Sequence, residues 1–239
     1  MLLLDIGNSR LKWAEVRDGQ LHFGGAIAHG GDAAASISAL PPQRADAVWV
    51  AQVLGPAQEA ALIAAVQARW GVTPQLARSS ARLGTLVNAY AEPQRLGVDR
   101  WLALLALHRE APGAFAVASA GTALTLDLVA GGGRHLGGII APGLHTAQQA
   151  TLGATRFATR DLTQAYTDGL GRDTETAVRQ GALLACVGAL ERGCAGLPVT
   201  ARRVLTGGDA ATLLPLLPGW QHRPHLVLEG LLAMAHATA

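Results

Sequence analysis

Asp5-Ile6-Gly7-Asn8-Ser9-Arg10-Leu11-Lys12 gathers an acid, a glycine, an amide, a hydroxyl and two cations within eight residues. An acid at a strand end, a glycine where backbone must approach a ligand, and Asn, Ser and cationic donors are what a hairpin needs to hold a phosphate chain and its metal. Lys12 sharpens this reading, because it is the only lysine in the chain against eighteen arginines. The compact charge of an ammonium is a common partner of phosphate oxygens. The competing reading is a lysine left over on an exposed strand.

A second candidate runs from Asn88 through Tyr90 to Gly97-Val98-Asp99-Arg100-Trp101. An acid beside a cation in the first turns of a helix is commonly a cap or a solvated face. Gly97 shifts the balance, since a helical glycine costs roughly 1 kcal/mol relative to Ala and its presence points to a close backbone approach. A third candidate, Gly121-Thr122-Ala123, offers a hydroxyl and backbone N–H groups at a tight turn, suited to the terminal phosphates of a nucleotide. Gly137-Gly138-Ile139-Ile140-Ala141-Pro142-Gly143 and Leu205-Thr206-Gly207-Gly208-Asp209 read as glycine-rich strand-to-helix turns. Their flat backbone suits a nucleotide base and sugar, though ordinary caps look the same.

These segments need elements to place them. Leu2–Asp5 and Leu11–Val16 read as strands joined by the Gly7–Ser9 turn, with Asp18-Gly19 making the next hairpin. Val48–Val50 reads as a buried strand, and Pro56–Trp70 and Arg95–Arg109 as helices. Strands return at Phe115–Ala118, Leu124–Val129 and Leu136–Ile140, followed by helices near Thr146–Leu152 and Thr174–Arg192. Val204–Leu205 and Leu226–Leu228 read as strands, the latter entering a terminal helix. Laid over each other, Asp5-Ile6-Gly7-Asn8 and Ser119-Ala120-Gly121-Thr122 match in pattern. Two related halves with a cleft between them, divided near Pro112-Gly113, would explain the match. Any hairpin turn also selects Gly and Asn.

At 239 residues the chain holds one large domain or two small ones. Half of its residues are hydrophobic and 15% are charged, which excludes a solvated disordered chain. A net charge of +2 gives no basic stripe for nucleic acid or for a membrane surface. No apolar stretch reaches the roughly 18 residues of a membrane span, and Met-Leu-Leu-Leu enters Asp5 with no basic n-region or cleavage site. Cys186 and Cys194, eight apart in one expected helix, stand about 12 Å from each other, beyond the roughly 7 Å a disulfide allows. Buried thiols and the missing leader read as a cytoplasmic protein. Walker, dinucleotide, zinc-protease and nucleophile-elbow motifs are absent, and the eight histidines are scattered.

In order and spacing these segments resemble the type III pantothenate kinases, also called the Bvg accessory factor family, of the acetate kinase, sugar kinase, Hsp70 and actin superfamily. The resemblance rests on Asp5 to Lys12, Gly97 to Trp101, Gly121 to Asp127, Gly137 to Leu144, Gly171-Arg172-Asp173-Thr174 and Leu205 to Gly208. It implies an α/β protein of two ribonuclease H-like, actin-like ATPase domains, 1–112 and 113–239, with the active site in the cleft between them. It further implies a homodimer that phosphorylates pantothenate with ATP and Mg²⁺, the first step towards coenzyme A.

Carried over residue by residue, Asp5, Ile6, Gly7, Asn8, Ser9, Arg10, Leu11 and Lys12 would form the ATP phosphate loop, with Asp5 holding hydrated Mg²⁺ and Thr122 a further phosphate contact. Tyr90, Gly97, Val98, Asp99, Arg100 and Thr174 would bind pantothenate, Asp99 as general base and Thr174 reaching across the dimer. One position departs from the family: Ser119 stands where an Asp usually binds an activating potassium or ammonium ion. A hydroxyl can coordinate such an ion but brings no charge. The alternatives are a kinase or phosphatase of another small substrate on the same scaffold, and a non-catalytic regulatory protein that keeps the fold.

Overall fold

The computed structural model describes residues 1–42, 44–156, 166 and 169–238. The chain divides into two compact units, Met1–Pro112 with His225–Ala239, and Gly113–Pro224. The sequence placed 113–239 together, whereas the terminal helix packs within the first unit.

The first unit contains β1 (Leu2–Ile6), β2 (Arg10–Arg17), β3 (Gln20–Ala28), α1 (Ala33–Ser38), β4 (Val48–Gln52), α2 (Pro56–Trp70), β5 (Gln75–Leu76), β6 (Arg82–Leu83), β7 (Leu86–Val87) and α3 (Val98–Glu110). The second contains β8 (Phe115–Ala120), β9 (Ala123–Ala130), β10 (Arg134–Pro142), α4 (Leu144–Ala154), α5 (Thr174–Gly193), β11 (Arg202–Thr206), α6 (Ala210–Leu213) and β12 (Trp220–His222). Helix α7 (Leu226–Thr238) completes the first unit.

β1, β2 and β3 form an antiparallel meander, and β4 and β5 add in parallel on the other side of β1, giving the order β3-β2-β1-β4-β5. Asp18 and Gly19, both at positive φ, form the two-residue turn that a β2–β3 hairpin prefers. The second unit repeats the plan. β8, β9 and β10 form the meander and β11 and β12 add in parallel, in the order β12-β11-β8-β9-β10. The sequence match between the two glycine turns is therefore a match of topology. Asp5 and Ser119 occupy corresponding places, each two residues before the turn glycine on the strand flanked by both antiparallel and parallel neighbours.

Alternation along β1 decides which side chains meet the core. Leu2, Leu4 and Ile6 join Ile37, Leu62 and Val66 of α1 and α2, whereas Leu3 and Asp5 take the opposite face. On that side α7 packs on β1 and β4, and α3 on β4. α3 is buried at Val98 and from Arg100 to Leu107. Gly230 of α7 crosses it so closely that a Cβ there would stand 2.0 Å from the Leu102 carbonyl oxygen. Leu226–Leu228 reads as a strand yet starts a helix, because a short apolar run carries no period that separates the two.

α3 begins at Val98 and not at Arg95, because a 3₁₀ turn over Pro93–Arg95 and an extended Leu96 precede Gly97, its N-cap. Gly137 and Gly138 lie inside β10 at a bulge, so only Gly143 of that motif makes the expected strand-to-helix turn. Cys186 and Cys194 are buried free thiols in and at the end of α5, and burial pushes both thiols up from their ordinary pKa. Among the described residues no helix is long and apolar enough to cross a membrane.

Candidate functional site

Within the first unit the Asp5–Lys12 motif is a single hairpin. Asp5 pairs with Lys12 across β1 and β2, so the two side chains share one face, and the Gly7 N–H closes the turn on the Arg10 carbonyl at 3.0 Å. Ile6 and Leu11 are buried and anchor the strands, while Asn8, Ser9 and Arg10 are exposed at the tip. Asp5 is only 8% exposed. Burial pushes its carboxyl up to about 6; Lys12 pulls it down and the charge of Asp99 pushes it further up. Lys12 and Asp99 thus both act on Asp5, from two separate stretches of sequence.

α3 delivers Asp99 in its first turn, where the helix dipole favours a carboxylate. Asp99 Oδ1 accepts the Arg100 N–H at 2.9 Å. A Cβ on Gly97 would stand 2.6 Å from that same oxygen. The glycine is thus the space into which the Asp99 carboxylate folds. Arg100, 6% exposed, donates from Nη1 to Tyr90 Oη at 3.0 Å and lies over the Tyr90 ring with Cζ 5.8 Å from its centroid. Asn88 sets the segment that carries the tyrosine. Its Oδ1 accepts the Tyr90 N–H at 3.0 Å and its Nδ2 donates to the Ser80 and Pro93 carbonyls, each at 3.2 Å. A cavity of about 400 Å³ lies against Gly97 and Val98, lined also by Gln52, Val53, Glu59 and Arg78. A larger one of about 800 Å³, bounded by Met1, Trp49, Leu76 and Met234, touches none of the motif residues.

In the second unit the glycine motifs pack against one another through backbone. The Gly121 N–H closes its turn on the Ala123 carbonyl at 3.1 Å, and the Thr122 carbonyl accepts the Gly143 N–H at 3.1 Å and the Thr146 hydroxyl at 2.6 Å. A Cβ at Gly143 would stand 1.9 Å from the Gly121 oxygen, and one at Gly207, whose φ is +100°, 2.2 Å from the Ala120 oxygen. Both downstream motifs are therefore pressed onto the backbone of residues 120–122, where only glycine fits. Ser119 pairs with Thr125 on β9 and Thr206 on β11, so three hydroxyl residues share a face without a carboxylate among them. Thr174 is exposed and opens α5, whose N-cap Asp173 accepts the Thr176 N–H at 2.8 Å.

A family model for type III pantothenate kinase matches residues 1–195. The type III pantothenate kinase of Halorhodospira halophila is 38% identical over 245 residues, which cover 97% of this chain and 96% of that protein. That of Xanthomonas euvesicatoria pv. vesicatoria is 39% identical over 243 residues, covering 99% and 98%. The chain belongs to the type III pantothenate kinases. Among solved structures, a Campylobacter jejuni protein described as a Baf family transcriptional activator superposes with a TM-score of 0.67 at 19% identity, over 100% of both chains. Component A of the (R)-2-hydroxyglutaryl-CoA dehydratase of Acidaminococcus fermentans gives 0.54 at 13%, over 100% of this chain and 99% of that one. These likenesses show the fold alone.

In this type III pantothenate kinase the motif residues fall into two sets: Asp5 to Lys12, Tyr90 and Gly97 to Arg100 in the first unit, and Ser119, Thr122 and Thr174 in the second. Asn88, which opens the second candidate, works through backbone groups that no spacing rule announces. His29, described below, follows β3 in a run of small residues that carries no chemistry of its own.

Proposed function

We propose that Asp5, Lys12 and Asp99 form the centre at which this pantothenate kinase transfers a phosphoryl group from ATP to pantothenate, towards coenzyme A. The pairing of buried Asp5 with Lys12 on one face of the hairpin, with Asp99 acting on the same carboxyl, carries the assignment. Phosphoryl transfer asks for positioning and charge stabilisation more than for covalent chemistry. Lys12, Arg10 and the polar tip Asn8-Ser9 hold the phosphates, and Thr122 is a further phosphate contact. Ile6, Gly7 and Leu11 shape the loop. Tyr90, Gly97, Val98 and Arg100 bind pantothenate, and Asp99 accepts the proton of its hydroxyl. That oxygen then bonds to the γ-phosphorus as the bond from phosphorus to ADP breaks.

A buried carboxylate with a raised pKa gains from a cation, and Mg²⁺ takes one or two carboxylates plus phosphates and waters, so Asp5 fits a water-mediated Mg²⁺. When bound, the metal neutralises phosphate charge. We further read the protein as a cytoplasmic homodimer in which the exposed Thr174 serves the partner's site; sedimentation equilibrium tests the dimer. The decisive assay of the reaction is ADP release. We expect it to require pantothenate, and release indifferent to pantothenate would assign the site to another acceptor or to water.

The neutral oxygens at Ser119, Thr125 and Thr206 fit a weakly held potassium or ammonium ion. Ser119→Asp is expected to lower the potassium needed for half-maximal activity by roughly tenfold or more, since a full charge replaces a dipole. It should also enlarge the potassium-induced rise in Tm of the substrate-free protein. A potassium response identical in both proteins would place the ion elsewhere.

A further inference from the structure

His29 belongs to none of the motifs, yet it is 7% exposed and both of its ring nitrogens are engaged by backbone. β3 brings it there: Ala28 pairs with Arg10, and the His29 N–H donates to the Ser9 carbonyl at 3.3 Å. The Gly31 N–H donates to Nδ1 at 3.1 Å, so that nitrogen carries the lone pair. The ring proton is therefore on Nε2, which donates to the Gly7 carbonyl at 2.9 Å. With its N–H on Arg10 and its carbonyl on His29, Gly7 is fixed at both ends.

The consequence reaches the next residue. The Gly7–Asn8 peptide is trans, so the Asn8 N–H points opposite to the Gly7 carbonyl. The carbonyl faces a buried imidazole, so the N–H is directed away from that ring, in a turn whose residues Asn8, Ser9 and Arg10 are exposed. We propose that His29 is the positioning residue of the phosphate loop, holding the Gly7–Asn8 peptide plane so that the Asn8 N–H is aimed at the bound triphosphate. This inference rests on the reading of Asp5 to Lys12 as the phosphate loop. It assigns recognition of the nucleotide to a backbone donor set by a side chain that need not touch ATP.

The test compares His29→Leu, His29→Gln and Lys12→Ala in kcat, in KM for each substrate and in Tm. His29→Leu is expected to raise the ATP KM about tenfold, the scale of losing one hydrogen bond to a charged group, with the pantothenate KM within about twofold of the parent. His29→Gln, whose amide N–H reaches the same carbonyl, should recover most of that loss. A merely structural histidine would lower Tm and leave the ATP KM of the folded protein where it was. An unchanged ATP KM in folded His29→Leu, with Lys12→Ala raising it, overturns the role of His29 and leaves the loop assignment standing. An unchanged ATP KM in Lys12→Ala overturns the loop assignment and this inference with it. Should His29→Leu not fold, His29→Asn replaces it. The asparagine amide reaches only the Nδ1 position and should raise the ATP KM where His29→Gln does not, and equal values in the two overturn the proposal.

Discussion

Asp99→Asn is expected to lower kcat by two orders of magnitude or more while leaving the fold and the ATP KM within a few-fold of the parent. The fold should survive because the asparagine keeps an Oδ1 to accept the Arg100 N–H and occupies the same space over Gly97. The loss is one of basicity. An amide cannot take the proton of the pantothenate hydroxyl, and general-base contributions of this kind amount to roughly 10²–10⁴ in rate, about 3–5 kcal/mol of barrier. A residue that merely bound pantothenate would raise KM at unchanged kcat, so the split between the two constants separates the roles. Steady-state ADP release at saturating ATP and varied pantothenate measures both. A kcat equal to the parent's removes Asp99 from proton transfer.

How much of this centre the sequence discloses depends on whether a residue acts through its own side chain or through its setting. Lys12, alone among arginines, and Gly97, in a helix start, are visible because their types are out of place locally. The glycine turns at 121 and 207 show for the same reason, and the repeated strand order confirms that Gly7 and Gly121 are counterparts. The approach of Asp99 to Asp5 is not visible, since it depends on how α3 lies against the sheet across some ninety residues of chain. The terminal helix fails differently. Its opening run Leu226–Leu228 is too short to separate strand from helix by period, and its return to the first unit is a long-range contact that local pattern cannot encode. His29 is silent, and the role of Asn88 is not readable, because their partners are backbone N–H and C=O groups, which nearly every residue has.

Asp5→Asn is expected to abolish activity and, in the metal-free protein, to raise stability. The native carboxyl titrates near 6 against an ordinary 3.8, so between these values the folded state binds more protons than the unfolded one. Stability then falls as pH rises through this window, and above it the ionised Asp5 costs about 3 kcal/mol, the difference of some two pK units. Asparagine fills the same space and never ionises, so the variant escapes this loss. At pH 8 its unfolding free energy in urea should exceed the parent's by about 2–3 kcal/mol, and at pH 5, where only part of the cost has developed, by about 1–2 kcal/mol less than that. Lys12 already offsets part of the charge, so Lys12→Ala should widen the gap at pH 8. A side chain kept ionisable at this cost in a face otherwise covered by α3 and α7 is retained for its charge and not for packing. If Asp5→Asn is instead less stable than the parent at pH 8, Asp5 serves the fold as a hydrogen-bond acceptor, and its placement at the phosphates loses its physical basis.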